Sequence, residues 1–178
     1  MLSKTSLTAA AIALTSSAAA QTLTLNVSGT PSYLDSVLAG YTTLSYANNT
    51  IYIGQVKNQL YSEELVLSSV GGYGLAFQSY HLPAGELQTV YINPNVTAPV
   101  FFTDPGADVP SGVDSQGFSF DNAANRLTNG GENNFMFCQD LAESELNSWR
   151  LWWEGDGIAN GVSCLVGVDL IKVVECED

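Results

Sequence analysis

The sequence predicts an all-β protein: an antiparallel β-sandwich or Greek-key barrel folded as a single domain. Three observations predict it. Short runs rich in β-branched and aromatic residues recur along the chain. Several of them alternate apolar and polar side chains with a period of two. Between them lie Asn-Gly, Asp-Gly and Pro-Gly pairs, the residues that supply positive φ or preset a bend. No internal repeat, linker-like stretch or shift in composition marks a second domain.

Taken in order, the chain opens "MLSKTSLTAAAIALTSSAAAQT". A lone charge at Lys4 precedes an apolar run that ends in Ala18-Ala19-Ala20. That order is the layout of a secretory signal peptide over residues 1–20, cleaved before Gln21. Residues 21–178 then make one β domain, long enough to bury a core of its own. "TLTLNVS" places Leu23, Leu25 and Val27 on one face and turns Asn26 outward. Further strands are expected in "TIYIGQV", "EELVLSS", "GLAFQSY", "LQTVYIN", "PVFFTD", "GFSFDN", "NFMFCQ", "SWRLWWEG" and "CLVGVDLIKVV". Turns are expected at "NNT", "VGGYG", "DPGAD", "TNGGEN", "EGDG" and "ANG". The stretch 139–154 is ambiguous. Ala142, Leu146, Trp149 and Trp153 fit a helical stripe, whereas Trp149, Leu151 and Trp153 fit a strand face. "WRLWW" followed by "EGDG" favours a loop over 139–147 and a strand from Ser148 to Glu154.

The charge balance excludes several partners. Five Lys and Arg stand against eighteen Asp and Glu, a net charge of −13. Beyond the leader the only basic residues are Lys57, Arg126, Arg150 and Lys172, so no patch exists to neutralise phosphates. Nucleic acid and anionic lipid are therefore not expected partners. Nor is a membrane-spanning segment expected, because no later apolar run approaches the ~20 residues such a helix needs.

Export brings further expectations. The sequons at Asn26 ("NVS"), Asn48 ("NNT") and Asn95 ("NVT") are competent N-glycosylation acceptors, each of which must then lie at the surface. Three cysteines in an oxidising compartment imply one bridge and one remaining thiol. Cys138 and Cys164 each sit in an apolar run that reads as a core strand. Their bridge would pin the tryptophan strand beside the last strand. Cys176, among charges near the end, has three options: to stay free, to swap into the bridge, or to link to another molecule.

Reactive chemistry is scarce. His81 is the single histidine, so a Ser-His-Asp or Cys-His centre would have to use it, and a zinc site of two or three imidazoles is not available. "GVSCL" lacks the closing glycine of a nucleophile elbow, and "VGGYG" lacks the lysine of a phosphate loop. Asp104, Asp108, Asp114 and Asp121 lack the spacing of an EF-hand calcium loop. No enzyme activity, metal or cofactor is therefore expected. Among the tryptophans, Trp149 and Trp153 share a face with Leu151, which reads as core. Trp152 shares the opposite face with Arg150. Two readings stand: a surface on which a sugar ring or partner stacks, or a second sheet face covered by a loop.

The C-terminal third, "GFSFDNAANRLTNGGENNFMFCQD", then "SWRLWW", then "VSCLVGVDLIKV", resembles the PhiA-type cell-wall proteins secreted by filamentous fungi. The positions that carry the resemblance are Gly117 and Phe118, Asn129 and Gly130, Phe135 with Cys138, Trp149, and Cys164 with Leu165 and Val168. Upstream, "NNTIYIG", "LQTVYINPN" and "VFFT" match comparable β segments. The insert "DLAESELN" and Cys176 depart from that pattern, which a wider group of small secreted fungal proteins accommodates. The resemblance implies an extracellular, wall-associated, non-enzymatic protein of conidia and phialides, with a protective role under stress. Its partners would be wall polysaccharide or wall proteins; a disulfide-linked partner through Cys176 follows from that residue's own position and not from the resemblance. The alternatives are a secreted carbohydrate- or host-binding module or effector using Trp152 and Arg150 and, more distantly, a glycoside hydrolase running on two carboxylates.

Overall fold

The computed structural model describes residues 22–28, 43–54, 56, 61–71, 74–142, 148–157 and 160–173. The leader at 1–20 and Cys176 lie outside them. Among the described residues there is no α-helix, and fifteen strands join one sheet. The first half comprises β1 (Thr22–Ser28), β2 (Ser45–Ala47), β3 (Thr50–Gly54), β4 (Glu63–Glu64), β5 (Val66–Val70), β6 (Gly74–Phe77) and β7 (Gln88–Tyr91). There follow β8 (Ala98–Pro99), β9 (Phe101–Phe102), β10 (Phe118–Asp121), β11 (Arg126–Asn129), β12 (Phe135–Asp140), β13 (Ser148–Trp153), β14 (Val162–Leu165) and β15 (Asp169–Lys172).

The hydrogen-bonded path runs β10-β11-β15-β1-β5-β6-β7-β9-β3-β13-β12-β14, with β2 and β4 beside β3 and β8 beside β13. The antiparallel all-β architecture is thus realised as a single sheet that curls into a half-barrel. Curling lets one apolar face close on itself. Leu25 of β1, Phe118 of β10, Phe77 of β6, Phe137 of β12 and Leu170 of β15 all belong to one core cluster.

Period-two alternation sets which side of each strand faces that core. In β1, Leu23 and Leu25 are buried, Val27 packs against the cluster and Asn26 is half-buried on the other face. In β13, Trp149, Leu151 and Trp153 are buried, while Ser148, Arg150 and Trp152 are half-buried. Register then places Phe135 opposite Trp153 and Phe137 opposite Leu151. The Phe135 and Trp153 rings meet edge to face at 5.0 Å, the arrangement their quadrupoles favour.

Turns fix these registers. Between β2 and β3 the pair Ala47↔Thr50 leaves two loop residues, Asn48 and Asn49, with φ of 47° and 57°. Two successive left-handed residues are what a type I′ hairpin turn requires, and asparagine tolerates them better than other side chains bearing Cβ. In "CLVGVDLIKVV" the apolar run is not one strand. Gly167, at φ 75°, turns the chain so that β14 pairs with β12 while β15 pairs with β1 and β11. Two other runs are interrupted where a buried residue bonds sideways: Leu65 N–H donates to Leu44 O, and Val100 N–H to Leu151 O.

The bridge Cys138–Cys164 is present, joining residues directly opposite across β12 and β14, with Cα atoms 4.0 Å apart. Its position differs from the one expected. It holds the terminal strand β14 to β12, whereas the tryptophan strand β13 lies on the other flank of β12 and β15 pairs elsewhere. With its cysteines 26 positions apart in sequence, the bridge should contribute about 3–4 kcal/mol on the chain-entropy model. Cys138→Ser and Cys164→Ser are expected to lower the denaturant midpoint accordingly, and an unchanged midpoint in both would remove the bridge from the stability account.

Candidate functional site

Beside the β2–β3 turn, one buried polar side chain organises the surface above it. Gln88 opens β7 in phase with Val90, so strand geometry drives its amide into the core, where it is 0% exposed. A buried primary amide must find partners for two donors and an acceptor. Its Nε2 donates to Thr103 O at 2.9 Å and to Asn49 Oδ1 at 2.7 Å, and its Oε1 accepts from the Tyr46 hydroxyl at 2.7 Å. The backbone carbonyl of Thr103 fixes which end of the amide is nitrogen. Tyr46 also lies 2.8 Å from Asn49 Oδ1, so its one proton has two acceptors to choose between. Asn49 then donates through Nδ2 to Asp104 Oδ1 at 3.1 Å. The Tyr46 ring is walled by Phe77 at 4.5 Å and by Phe102 at 5.1 Å.

Above this floor lies a groove of about 510 Å³, within the usual range for ligand sites. Asn48, Asn49, Asp104 and Asp108 line its polar side; Tyr91 and Phe101 line its apolar side. The aromatics are placed by alternation. Val90 and Phe102 point inward and are buried, so Tyr91 and Phe101, opposite each other in the β7–β9 pair, face out half-buried. Their rings stack at 5.8 Å with planes 29° apart. Such a surface offers a flat apolar face flanked by amide donors and carboxylate acceptors, chemistry suited to a neutral polyhydroxylated ligand.

Burial raises the pKa of both Tyr46 and Tyr91. For Tyr46 the hydrogen bond to Gln88 opposes part of that rise; for Tyr91 the Asp104 carboxylate adds to it.

Of the residues singled out by sequence, Asn48, Asp104 and Asp108 line this groove, and the other described ones lie elsewhere. Trp152 and Arg150 share the outer face of β13, opposite Met136 and Cys138 of β12. Met136 and Cys138 are buried, and the Trp152 indole N–H is buried with no hydrogen-bond partner among the described residues. Trp152 therefore turns its polar edge inward instead of presenting it to a ligand. Asn26 lies mid-strand, bridged to Ile171 and Thr43. Asn48 and Asn95 are exposed on tight turns. Their sequon hydroxyls are engaged: Thr50 Oγ1 bonds Asn48 O, and Thr97 Oγ1 bonds the carbonyls of Gly155 and Gly157. Gly155 is essential there, since a Cβ would lie 2.6 Å from Val96 N.

His81 stacks on Tyr61 at 3.9 Å, and its backbone N–H bonds Ser79 Oγ, whose hydroxyl in turn bonds Glu63. That serine, histidine and glutamate thus tie the 79–81 turn to β4. Asp114 caps the N–H groups of Gln116 and Gly117, and Asp121 and Asp169 flank Arg126, each at 3.4 Å. Asp104 is held by Asn49. Asp104, Asp114 and Asp121 are therefore engaged separately, and no cluster of metal-ligating side chains occurs among the described residues.

Comparison with family models, curated proteins and solved structures finds no match.

The raised tyrosine pKa values have a pH consequence. The folded protein holds these phenolic protons more tightly than the unfolded chain, whose tyrosines titrate near ~10. Stability should therefore be intact below pH ~10 and fall as pH rises beyond it, by at most ~1.4 kcal/mol per pH unit for each proton retained. Denaturant unfolding across pH 8–11 measures this. Tyr46→Phe should flatten the alkaline slope, and an identical slope in that variant would separate it from Tyr46.

Proposed function

We propose that the chain is a secreted, N-glycosylated, non-catalytic protein associated with the cell wall of a filamentous fungus. One observation carries this reading. Behind an export-type leader stands a disulfide-tied β scaffold whose acceptors Asn48 and Asn95 are exposed on tight surface turns. Glycan attachment requires that placement, and a structural disulfide suits an oxidising compartment. The non-catalytic part is supported by the use of Ser79, His81 and Glu63 in holding a turn. Association with the wall, and a role in conidiation, phialide development and stress protection, rest on the resemblance to the PhiA-type proteins. Wall polysaccharide or wall proteins are the partners this implies, with Cys176 as the thiol for a cross-link.

A second reading, a secreted carbohydrate- or host-binding module or effector, is favoured by the stacked Tyr91–Phe101 face. It draws on that surface more than on Trp152 and Arg150.

Expression of a tagged chain in a filamentous fungus, followed by fractionation, tests the proposal. The protein should be recovered mainly from the wall, and Cys176→Ser should shift any reductant-released portion to the detergent-extractable fraction. Quantitative recovery from the culture medium would overturn the wall association and leave the binding-module reading.

A further inference from the structure

The groove at Tyr91 and Phe101 has an acceptor asparagine on its own rim. Asn48, first residue of the sequon Asn48-Asn49-Thr50, is exposed and lines it. The third residue of the same sequon, Thr50, pairs across the sheet with Phe101, which pairs in turn with Tyr91. Neighbouring strands lie about 4.8 Å apart, so the two rings form a track that starts roughly one strand spacing from the acceptor strand and ends at two. The turn is held rigidly against that track: Phe102 N–H donates to Asn49 O at 3.3 Å and Asn49 Nδ2 to Asp104. Two left-handed residues fix the direction in which Asn48 leaves the turn.

From this geometry we infer that the groove seats the first sugars of an N-glycan carried by Asn48. The inference rests on the proposed secretion and glycosylation of the chain. In the modification, Asn48 Nδ2 forms a bond to the anomeric carbon of an N-acetylglucosamine from a lipid diphosphate-linked oligosaccharide. The anomeric carbon–phosphate oxygen bond breaks, the lipid diphosphate leaves, and the amide gives up one proton. The apolar face of the attached ring then covers Phe101 and Tyr91, and its hydroxyl and acetamide groups meet Asp104 and Asp108. Those carboxylates accept hydrogen bonds from a neutral sugar and repel an anionic one. Attachment makes the contact intramolecular, so a weak site is filled at the high effective concentration a short tether provides. Asn95 is different: its turn is fastened by Thr97 to the 155–157 loop, and it does not line the groove.

The test uses the secreted, glycosylated chain. Glycopeptide mass spectrometry reads occupancy at Asn26, Asn48 and Asn95, and thermal unfolding is compared before and after enzymatic release of the glycans. Release should lower the Tm by on the order of 2–6 °C in the wild type and in Asn95→Gln. In Tyr91→Ser and Phe101→Ser, each compared with its own glycosylated form, release should change the Tm by less than ~1 °C. An equal fall in the groove variants and the wild type would overturn the inference. So would occupancy at Asn95 with none at Asn48, which leaves the secreted-glycoprotein reading standing; no occupancy anywhere overturns both. Binding of chitin or glucan oligomers by the fully glycosylated protein, lost in Tyr91→Ser, would mean an external sugar holds the groove and would also overturn it.

Discussion

The satisfaction of one buried amide constrains the groove surface over β7, β9 and the β2–β3 turn. Gln88 brings a carboxamide into an apolar interior, where an unmade hydrogen bond costs ~1–3 kcal/mol. Its partners come from three segments: Tyr46 in β2, Asn49 in the turn and Thr103 beyond β9. Satisfying the amide therefore sets the height of the turn over the sheet and the path of the chain after Phe102. The outward aromatics sit on residues whose backbones this network holds. Tyr46 shares in it through the hydroxyl while its ring packs on Phe77 and Phe102. The same side chain thus serves polar satisfaction and core packing.

The curled sheet divides the outer surface into regions of different character. Around β12 even the outward residues Met136 and Cys138 are buried, and the bridge to Cys164 fixes β14 at that end of the hydrogen-bonded path. At the other end β10 and β11 are held by Phe118 and Leu127 in the core and by Arg126 between Asp121 and Asp169. The region over β7, β9 and the β2–β3 turn keeps both aromatic faces and polar groups within reach of solvent.

Much of the fold was legible in the sequence because period two is a strong signal wherever a strand spans several residues. The expected alternation of Trp149, Leu151 and Trp153 against Arg150 and Trp152 is the one observed. β2 ("SYA") and β11 ("RLTN") were missed, since three or four residues cannot display a pattern. The run 164–174 reads as one strand in the sequence, since a single glycine inside an apolar run does not by itself mark a turn; Gly167 makes one. The outward pair Tyr91 and Phe101 was readable in "TVYIN" and "PVFFTD", each flanked by inward apolar neighbours. The network beneath carried a subtler mark: a glutamine in phase with Val90 and Ile92, on the face that alternation assigns to the interior. Its partners, separated by up to 42 residues in sequence, are brought together only by the tertiary fold.

The pairing of β1 with β15 sets a clock. Residues 22–24 of β1 pair with 66–68 of β5, whereas residues 25–28 pair with 169–172, so half of the first described strand waits for the last one. Contacts of such long sequence separation form slowly. Thr97 waits likewise: its hydroxyl bonds Gly155 O and Gly157 O, 58 and 60 residues further along the chain. The topology thereby orders events in time: local turns close first, and contacts across the length of the chain close last.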